Sequence, residues 1–248
     1  MFDSHAHLCF PDFKGEQEEI IASAREHLKG VMVSSARFQE SIDVLDLVKK
    51  YPNFLHASIG HHPIEGNELE KTIALIRDQI KNISAIGEVG LDRHWVKDEQ
   101  KIKQQKNVFK TFIALSKEVK RPLVIHSWDA EAEAFELIKD AGVRAAFHCY
   151  TGPKNLALEI ADAGFFVSIS TAVLFSKTVK KTAKAIPLDK ILLETDSPFL
   201  DPDRTRKRNV PENILLSAKK IAELRSVSQE EVLKAAWENA KTLFMMRP

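Results

Sequence analysis

The stretch Asp3-Ser4-His5-Ala6-His7 lies at the end of the first predicted strand of a 248-residue chain. Side chains two positions apart on an extended strand point to the same side, so His5 and His7 should approach one ion together. Further residues with metal-binding side chains follow later apolar segments in the same manner: Glu88, His126, His148 and Asp196. If the fold brings these segment ends together, four imidazoles and two carboxylates meet at one place.

Short apolar segments alternate with longer amphipathic segments along the whole chain. We predict strands over residues 1–5, 30–34, 55–60, 84–89, 123–126, 144–148, 165–169 and 190–194. We predict helices over residues 16–28, 39–50, 67–81, 100–119, 130–141, 154–163, 176–185, 212–224 and 228–243. Strands that are each followed by a helix indicate an α/β fold, here a single (β/α)8 TIM-barrel domain over residues 1–248.

A doubly wound open sheet is the alternative, because periodicity does not show whether a sheet closes. The positions of the potential ligands favour the barrel. Each of them lies at or just past the carboxyl end of a predicted strand, where barrel enzymes build their active sites. An open sheet would spread these strand ends along a line, whereas a closed barrel makes them converge.

The overall composition is that of an ordinary globular protein, with 44% hydrophobic and 29% charged residues. Its 36 Lys and Arg residues nearly balance 35 Asp and Glu residues, which argues against a protein that coats nucleic acid non-specifically. No apolar run approaches the roughly 20 residues that cross a bilayer, and no signal-peptide pattern opens the sequence. We therefore expect a cytoplasmic protein without membrane association, and no obligate protein partner is evident.

The ligand set predicts a site for two divalent metal ions. Asp196 would lie beside the first strand, where it can bind the ion held by His5 and His7 and accept a proton from the attacking water. The two oxygens of Glu88 could bridge both ions, while His126 and His148 would serve the second. Carboxylates suit Mg²⁺ or Mn²⁺ and imidazoles suit Zn²⁺, so the identity of the metal stays open. Asp3 lies deeper in the strand, and we expect it to orient an imidazole from behind.

Two further segments could bind the substrate. Gly60-His61-His62-Pro63 ends the third predicted strand, and one of its imidazoles could donate to an anionic oxygen; His61 is the more easily explained as solvated. The basic run at residues 204–209 follows the eighth strand, where barrels commonly bind phosphate groups. We expect Arg206 and Arg208 to contact substrate there, because the arginine fork matches phosphate oxygens.

These segments together resemble the TatD family of metal-dependent deoxyribonucleases, which belongs to the amidohydrolase-like barrels. The resemblance spans essentially the whole chain and lies in six stretches: Asp3-Ser4-His5-Ala6-His7, Gly60-His61-His62-Pro63, Gly87-Glu88-Val89-Gly90-Leu91-Asp92, Val124-Ile125-His126-Ser127, His148-Cys149-Tyr150-Thr151-Gly152 and Glu194-Thr195-Asp196-Ser197-Pro198. It implies a pair of divalent metal ions held by His5, His7, Glu88, His126, His148 and Asp196. It further implies catalysis by Asp196, Glu88 and His62, with DNA as the substrate.

The chain departs from the family pattern at three places. Tyr150 stands where the family usually has phenylalanine, and Arg93-His94-Trp95 replaces a segment that is usually aromatic or rich in tyrosine. Asn209-Val210-Pro211 replaces an Asn-Glu-Pro segment. Because every ligand position is kept, these changes bear on substrate preference rather than on catalysis.

Three functions are compatible with the sequence. The leading hypothesis is a phosphodiesterase that cleaves DNA with a metal-activated water. An amidohydrolase-type enzyme would use the same metals on an amide, lactone or acyl ester. A non-catalytic, metal-stabilised nucleic-acid-binding protein is the third, although the balanced charge argues against it.

Overall fold

The protein was analysed as a computed structural model that describes residues 1–205 and 208–246. Within these residues, eight parallel strands form one sheet in chain order. The strands are β1 (Phe2–Ala6), β2 (Gly30–Ser34), β3 (Leu55–Ile59), β4 (Ile83–Gly90), β5 (Leu123–His126), β6 (Ala145–Phe147), β7 (Phe166–Ile169) and β8 (Ile191–Leu193). A parallel bridge between Ala6 and Ser197 joins β1 to the segment that follows β8. The predicted barrel is therefore confirmed, and the open sheet is wrong.

Helices alternate with these strands and cover the outside of the barrel. In the described residues they are α1 (Gln17–His27), α2 (Phe38–Lys50), α3 (Leu69–Asp78), α4 (Glu99–Val119), α5 (Glu131–Ile138), α6 (Lys154–Asp162), α7 (Lys177–Ala185), α8 (Ile214–Arg225) and α9 (Gln229–Phe244). Short 3-10 turns lie at Pro11–Phe13, Thr171–Leu174, Leu188–Lys190 and Pro211–Asn213. None of the helices in this part of the chain is long and apolar enough to span a membrane.

The core lies between the strands and the inner faces of the helices. The longest helix, α4, shows how the sequence pattern produces this packing: Phe109 and Phe112 lie on its inner face and are fully buried. Burying a side chain of this size contributes about 1.5–3 kcal/mol. The helix begins at Asp98, whose side chain accepts a hydrogen bond from the Lys101 backbone N–H. Ser228 caps α9 in the same way, by accepting from the Glu231 N–H.

Asp3 joins the first strand to the segment that follows the last strand. Its carboxylate oxygens accept hydrogen bonds from the Thr195 backbone N–H at 3.0 Å and from the Thr195 hydroxyl at 2.6 Å. It also accepts from the His5 backbone N–H at 3.2 Å. The prediction that Asp3 orients an imidazole ring is therefore corrected: this fully buried carboxylate satisfies backbone and hydroxyl donors where β1 meets the segment after β8.

Candidate metal centre

The predicted ligands meet at the carboxyl-terminal mouth of the barrel. His5 lies in β1, Glu88 in β4 and His126 at the end of β5, whereas His7, His148 and Asp196 lie just beyond β1, β6 and β8. Two backbone hydrogen bonds hold the junction between the first and last of these segments, from Asp196 N to His5 O and from His7 N to Ser197 O. The parallel barrel thus brings together residues separated by up to 191 positions.

One oxygen of Glu88 faces the first set of ligands. Its Oε1 lies 3.4 Å from His5 Nε2 and 3.1 Å from His7 Nε2. The two imidazole nitrogens are 3.3 Å apart. Asp196 completes the set, because its Oδ1 lies 3.6 Å from His7 Nε2 and 3.9 Å from His5 Nε2.

The other oxygen of Glu88 faces a second set of ligands. Its Oε2 lies 3.1 Å from His148 Nε2 and 3.6 Å from His126 Nδ1. His62 Nε2 stands slightly farther away, at 3.8 Å. The carboxylate therefore stands between two clusters of nitrogen and oxygen donors, as the bridging arrangement inferred from the sequence requires.

The spacing of these donors fits divalent cations. Two nitrogen ligands of one tetrahedral ion, each about 2.0–2.1 Å from the metal, are about 3.3 Å apart. The separation of the His5 and His7 nitrogens has this value. Donor atoms lie within 4.8 Å of one another in three overlapping groups: His5, Glu88 and His148; His5, His7 and Asp196; and His62, Glu88 and His126. The donor chemistry and the spacing both fit metal binding.

The buried carboxylates of the candidate metal centre stabilise positive charge there. Burial opposes the charging of His7, yet Glu88 and Asp196 raise its pKa to about 10. Burial would raise the pKa of Glu88, but the surrounding His148, His5 and His7 hold it well below its usual range. Glu88 is 3% exposed, and an isolated buried carboxylate of this kind is costly. A cation between the clusters would satisfy it.

Outer contacts fix the imidazoles in the orientation that ligation requires. Asp92 Oδ2 lies 2.8 Å from His126 Nε2, which leaves the His126 Nδ1 lone pair directed towards Glu88. The Ser34 hydroxyl lies 3.2 Å from His5 Nδ1 in the same manner. Glu194 stands 3.6 Å from His148 Nδ1, and its carboxylate also accepts the Cys149 N–H at 2.5 Å. Such outer partners set the tautomer and basicity of a ligating histidine.

Two of these outer carboxylates were not assigned a role from the sequence. Asp92 and Glu194 are both fully buried. A signal was available for Glu194, because it ends an apolar strand, and a buried carboxylate needs a positively charged or hydrogen-bonding partner. The same reasoning had identified Glu88.

Asp92→Asn should weaken metal binding about 10- to 100-fold without unfolding the protein. The Trp95 backbone N–H donates to Asp92 Oδ1 at 2.6 Å, so the oxygen of the new amide would stay there and its nitrogen would face His126 Nε2. The His126 ring would then carry its proton on Nδ1, the nitrogen that is meant to ligate. Calorimetric metal titration of the metal-free protein measures the effect. Glu118→Gln is the matched control, because this exposed carboxylate pairs with Arg77. Equal affinity in the Asp92→Asn and wild-type proteins would contradict the orienting role.

The two histidines of the 61–62 pair occupy different environments. His61 is 4% exposed and its Nε2 contacts the Glu65 carbonyl at 3.0 Å, so the expectation of a solvated ring is wrong. His62 lines the cavity beside Glu88. Burial and the neighbouring His126 lower the pKa of His62 to about 3, which keeps its ring neutral. Because His62 Nδ1 accepts the Ile64 N–H at 3.3 Å, the ring proton resides on Nε2, which can donate.

Among the described residues of the basic run after β8, no arginine lines the cavity. Arg206 lies outside the described residues. The Arg208 guanidinium donates to the Asp12 carbonyl at 2.8 Å and forms an ion pair with Glu16. It also lies over the Phe13 ring at 5.4 Å from the centroid. Substrate contacts by Arg206 and Arg208 therefore stay predictions.

A cavity of about 630 Å³ opens above the ligands. Glu88, Asp196, His62 and His126 lie on its wall, together with Trp95, Trp128, Phe10 and Phe199. Arg37 is the one side chain with a fixed positive charge among its described lining residues, and it pairs with Glu65 at 2.9 Å. The volume lies within the about 300–1,000 Å³ range of small-ligand sites. The sequence gives no signal for Trp128 or Arg37, because loop residues carry no periodic pattern, and it marks Trp95 only within the Arg93-His94-Trp95 departure from the family pattern.

Comparisons with known proteins find relatives that match nearly the whole chain. A family model described as TatD related DNase matches residues 2–245. An uncharacterized metal-dependent hydrolase of Bacillus subtilis, YabD, is 37% identical and is covered over 98% of both chains. The human protein named deoxyribonuclease TATDN3 is 32% identical, over 98% of this chain and 94% of the relative.

A solved structure supports the fold independently. The crystal structure of YjjV, a TatD homologue from Escherichia coli, matches with a TM-score of 0.90. The match covers 100% of this chain and 98% of that chain at 22% identity. At this level of identity, the match shows a shared barrel fold and nothing more.

Proposed function

This chain belongs to the TatD related DNase family of metal-dependent hydrolases, and from that premise we propose that it is a phosphodiesterase that cleaves DNA. The observation that carries the proposal is the position of Glu88. Each of its two oxygens faces a separate set of ligands, at distances of 3.1–3.6 Å from the nearest imidazole nitrogens. Paired cations of this kind recur in enzymes that displace an oxygen at phosphorus.

The ligands divide into two sites in this proposal. His5, His7 and Asp196 would hold one divalent ion, His126 and His148 would hold the other, and Glu88 would bridge them. When bound, the cations supply Lewis acidity, which polarises a phosphoryl oxygen and acidifies nearby water. The mixture of carboxylates and imidazoles is compatible with Mg²⁺, Mn²⁺ or Zn²⁺.

In this proposal, Asp196 acts as the general base. Burial would raise the pKa of its carboxyl group, but the contact with His7 and the charges of His148 and His5 outweigh burial and lower it. The group is therefore ionised at neutral pH and can accept a proton from water as the water oxygen bonds to phosphorus. Its side chain lines the cavity, where a substrate phosphate would lie.

In this proposal, His62 donates a hydrogen bond to the substrate. Its neutral ring carries the proton on Nε2, 3.8 Å from Glu88 Oε2 and at the cavity wall. A non-bridging phosphate oxygen bound in this region would accept from it. His126 differs, because Asp92 occupies its Nε2 and leaves Nδ1 free to ligate. Thus His62 would serve as a hydrogen-bond donor, and the neighbouring His126 would serve as a ligand.

Metal-dependent release of nucleotides from DNA tests the proposal. Protein stripped with a chelator should be inactive, and Mg²⁺, Mn²⁺ or Zn²⁺ added in separate reactions should restore hydrolysis. The substrates are single-stranded DNA, duplex DNA, RNA and a panel of amides, lactones and acyl esters. An Asp196→Asn preparation purified in parallel controls for contaminating nucleases. Hydrolysis confined to the acyl or amide substrates would overturn the assignment in favour of an amidohydrolase.

A further inference from the structure

Two exposed tryptophans stand at the mouth of the cavity. Trp95, in the loop after β4, is 68% exposed, and Trp128, in the loop after β5, is 40% exposed. Their ring centroids are 6.1 Å apart, with the planes nearly perpendicular. His94 stacks on Trp128 at 3.8 Å with the planes 8° apart. We refer to His94, Trp95 and Trp128 as the tryptophan platform.

The loops that carry the tryptophan platform are joined by polar contacts that are independent of any ligand. The Trp95 backbone N–H donates to the Asp92 carboxylate, and the Arg93 backbone N–H donates to the Trp128 carbonyl at 2.9 Å. The second of these bonds joins the two loops. His94 Nδ1 lies 3.1 Å from Asp129 Oδ2. A surface fixed in this way loses little conformational entropy when it binds a ligand. Large exposed aromatic groups at a cavity mouth typically mark a binding site.

The tryptophan platform is continuous with the metal centre. Asp92 both accepts from the Trp95 N–H and contacts His126, so the same carboxylate supports the platform and a ligand. Trp95 and Trp128 line the cavity that also exposes Glu88. Elsewhere on its wall, Phe10 and Phe199 meet edge to face at 5.6 Å and both contact His7.

The charge of the cavity indicates how such a ligand would be held. The chain is nearly neutral, and Arg37 is the one fixed cation among the described lining residues. The described wall of the cavity therefore offers little lysine or arginine to neutralise a phosphate. Aromatic rings can supply affinity for a nucleic acid instead, because each base presents a π face on which a ring can stack.

We propose that the tryptophan platform binds an unpaired nucleobase by stacking, and so places the adjoining phosphate at the metal centre. The inference rests on the proposed phosphodiesterase function and names the substrate as a strand with an exposed base. The base faces inside a duplex are covered by their neighbours, so they are not available to Trp95 or Trp128. A cavity of about 630 Å³ has the size of a small-ligand site, so it can admit part of a single strand but not a double helix.

Kinetics on a matched pair of substrates test the tryptophan platform. The substrates are a single-stranded oligonucleotide and the same strand without bases at its terminal positions. Trp95→Leu and Trp128→Leu should each raise KM for the intact strand about 5- to 100-fold and change kcat little. Neither should change KM for the abasic strand. Trp95→Phe should restore most of the affinity, and Trp237→Phe, which lies against Phe2 away from the cavity, should behave as wild type.

Tryptophan fluorescence gives a readout that does not depend on turnover. In the Trp237→Phe protein, kept free of metal by a chelator, the intact strand should quench the emission of Trp95 and Trp128, and the abasic strand should not. Equal quenching by both strands, or equal changes of KM on both, would overturn the stacking role. If wild-type protein bound the intact strand with quenching but hydrolysed no DNA with any metal, the proposed function would fail and the tryptophan platform would stand. If the intact strand caused no quenching but DNA was hydrolysed normally, the stacking role would fail and the proposed function would stand.

Discussion

Glu88→Gln should abolish DNA hydrolysis and lower the metal content below that of the wild-type protein. Glutamine keeps the shape of the side chain but replaces one carboxylate oxygen with an amide nitrogen, which does not ligate a cation. Loss of an outer partner of a metal ligand costs about 10- to 100-fold, so loss of the bridge itself should reduce kcat/KM by at least about 100-fold. Steady-state kinetics and metal analysis by mass spectrometry measure the two effects.

The positions of the two Glu88 oxygens explain why this one substitution should disturb metal binding. Glu88 Oε1 faces His5 and His7, and Oε2 faces His148 and His126, so either orientation of the new amide removes a donor from one set. Circular dichroism should show an intact barrel, because the side-chain volume is unchanged. Glu118→Gln, on the exposed surface of α4, should retain full activity and metal content. Wild-type turnover by Glu88→Gln would exclude a bridging role for this carboxylate.

The fold could be predicted because the hydrophobic pattern of the sequence reflects barrel geometry. Strands covered on both faces form short continuous apolar segments, and the helices between them alternate with a 3.6-residue period. The boundaries of some elements differ from the prediction. Residues 130–141 were predicted as one helix, whereas α5 ends at Ile138 and the following chain turns at Gly142, where φ is 67°. The segment before β8 forms a 3-10 turn at Leu188–Lys190, which shortens the predicted strand.

The candidate metal ligands could be picked out from the sequence because they occupy one kind of position, the carboxyl end of a barrel strand. The roles of other polar residues depend on contacts between distant parts of the chain. Arg208 pairs with Glu16 across 192 positions, and Asp3 binds Thr195 at the same separation. Local spacing contains no information about such pairs. The pairing of Trp95 with Trp128 could not be predicted for a related reason, since both residues lie in loops whose arrangement follows from the barrel.

Asp196→Asn should lower kcat about 10²- to 10⁴-fold, the range expected for loss of a general base. The amide keeps an oxygen that can face the ion held by His5 and His7, but it cannot accept a proton from water at neutral pH. Glu88 and both imidazoles remain in place, so metal binding at this site should weaken less than in Glu88→Gln. Rates measured over a series of metal concentrations, with saturating DNA, give the maximal kcat of the variant.

The metal series separates two roles that Asp196 combines. Its Oδ1 lies 3.6 Å from His7 Nε2, within the ligand set, and the same side chain borders the cavity in which the substrate phosphate would lie. If Asp196 served as a ligand alone, a sufficiently high metal concentration would restore wild-type kcat in the Asp196→Asn protein. If it also accepts the proton of the attacking water, kcat should remain low when both metal sites are filled. Recovery at high metal would therefore assign proton removal to another group, while a persistent defect would assign it to this carboxylate.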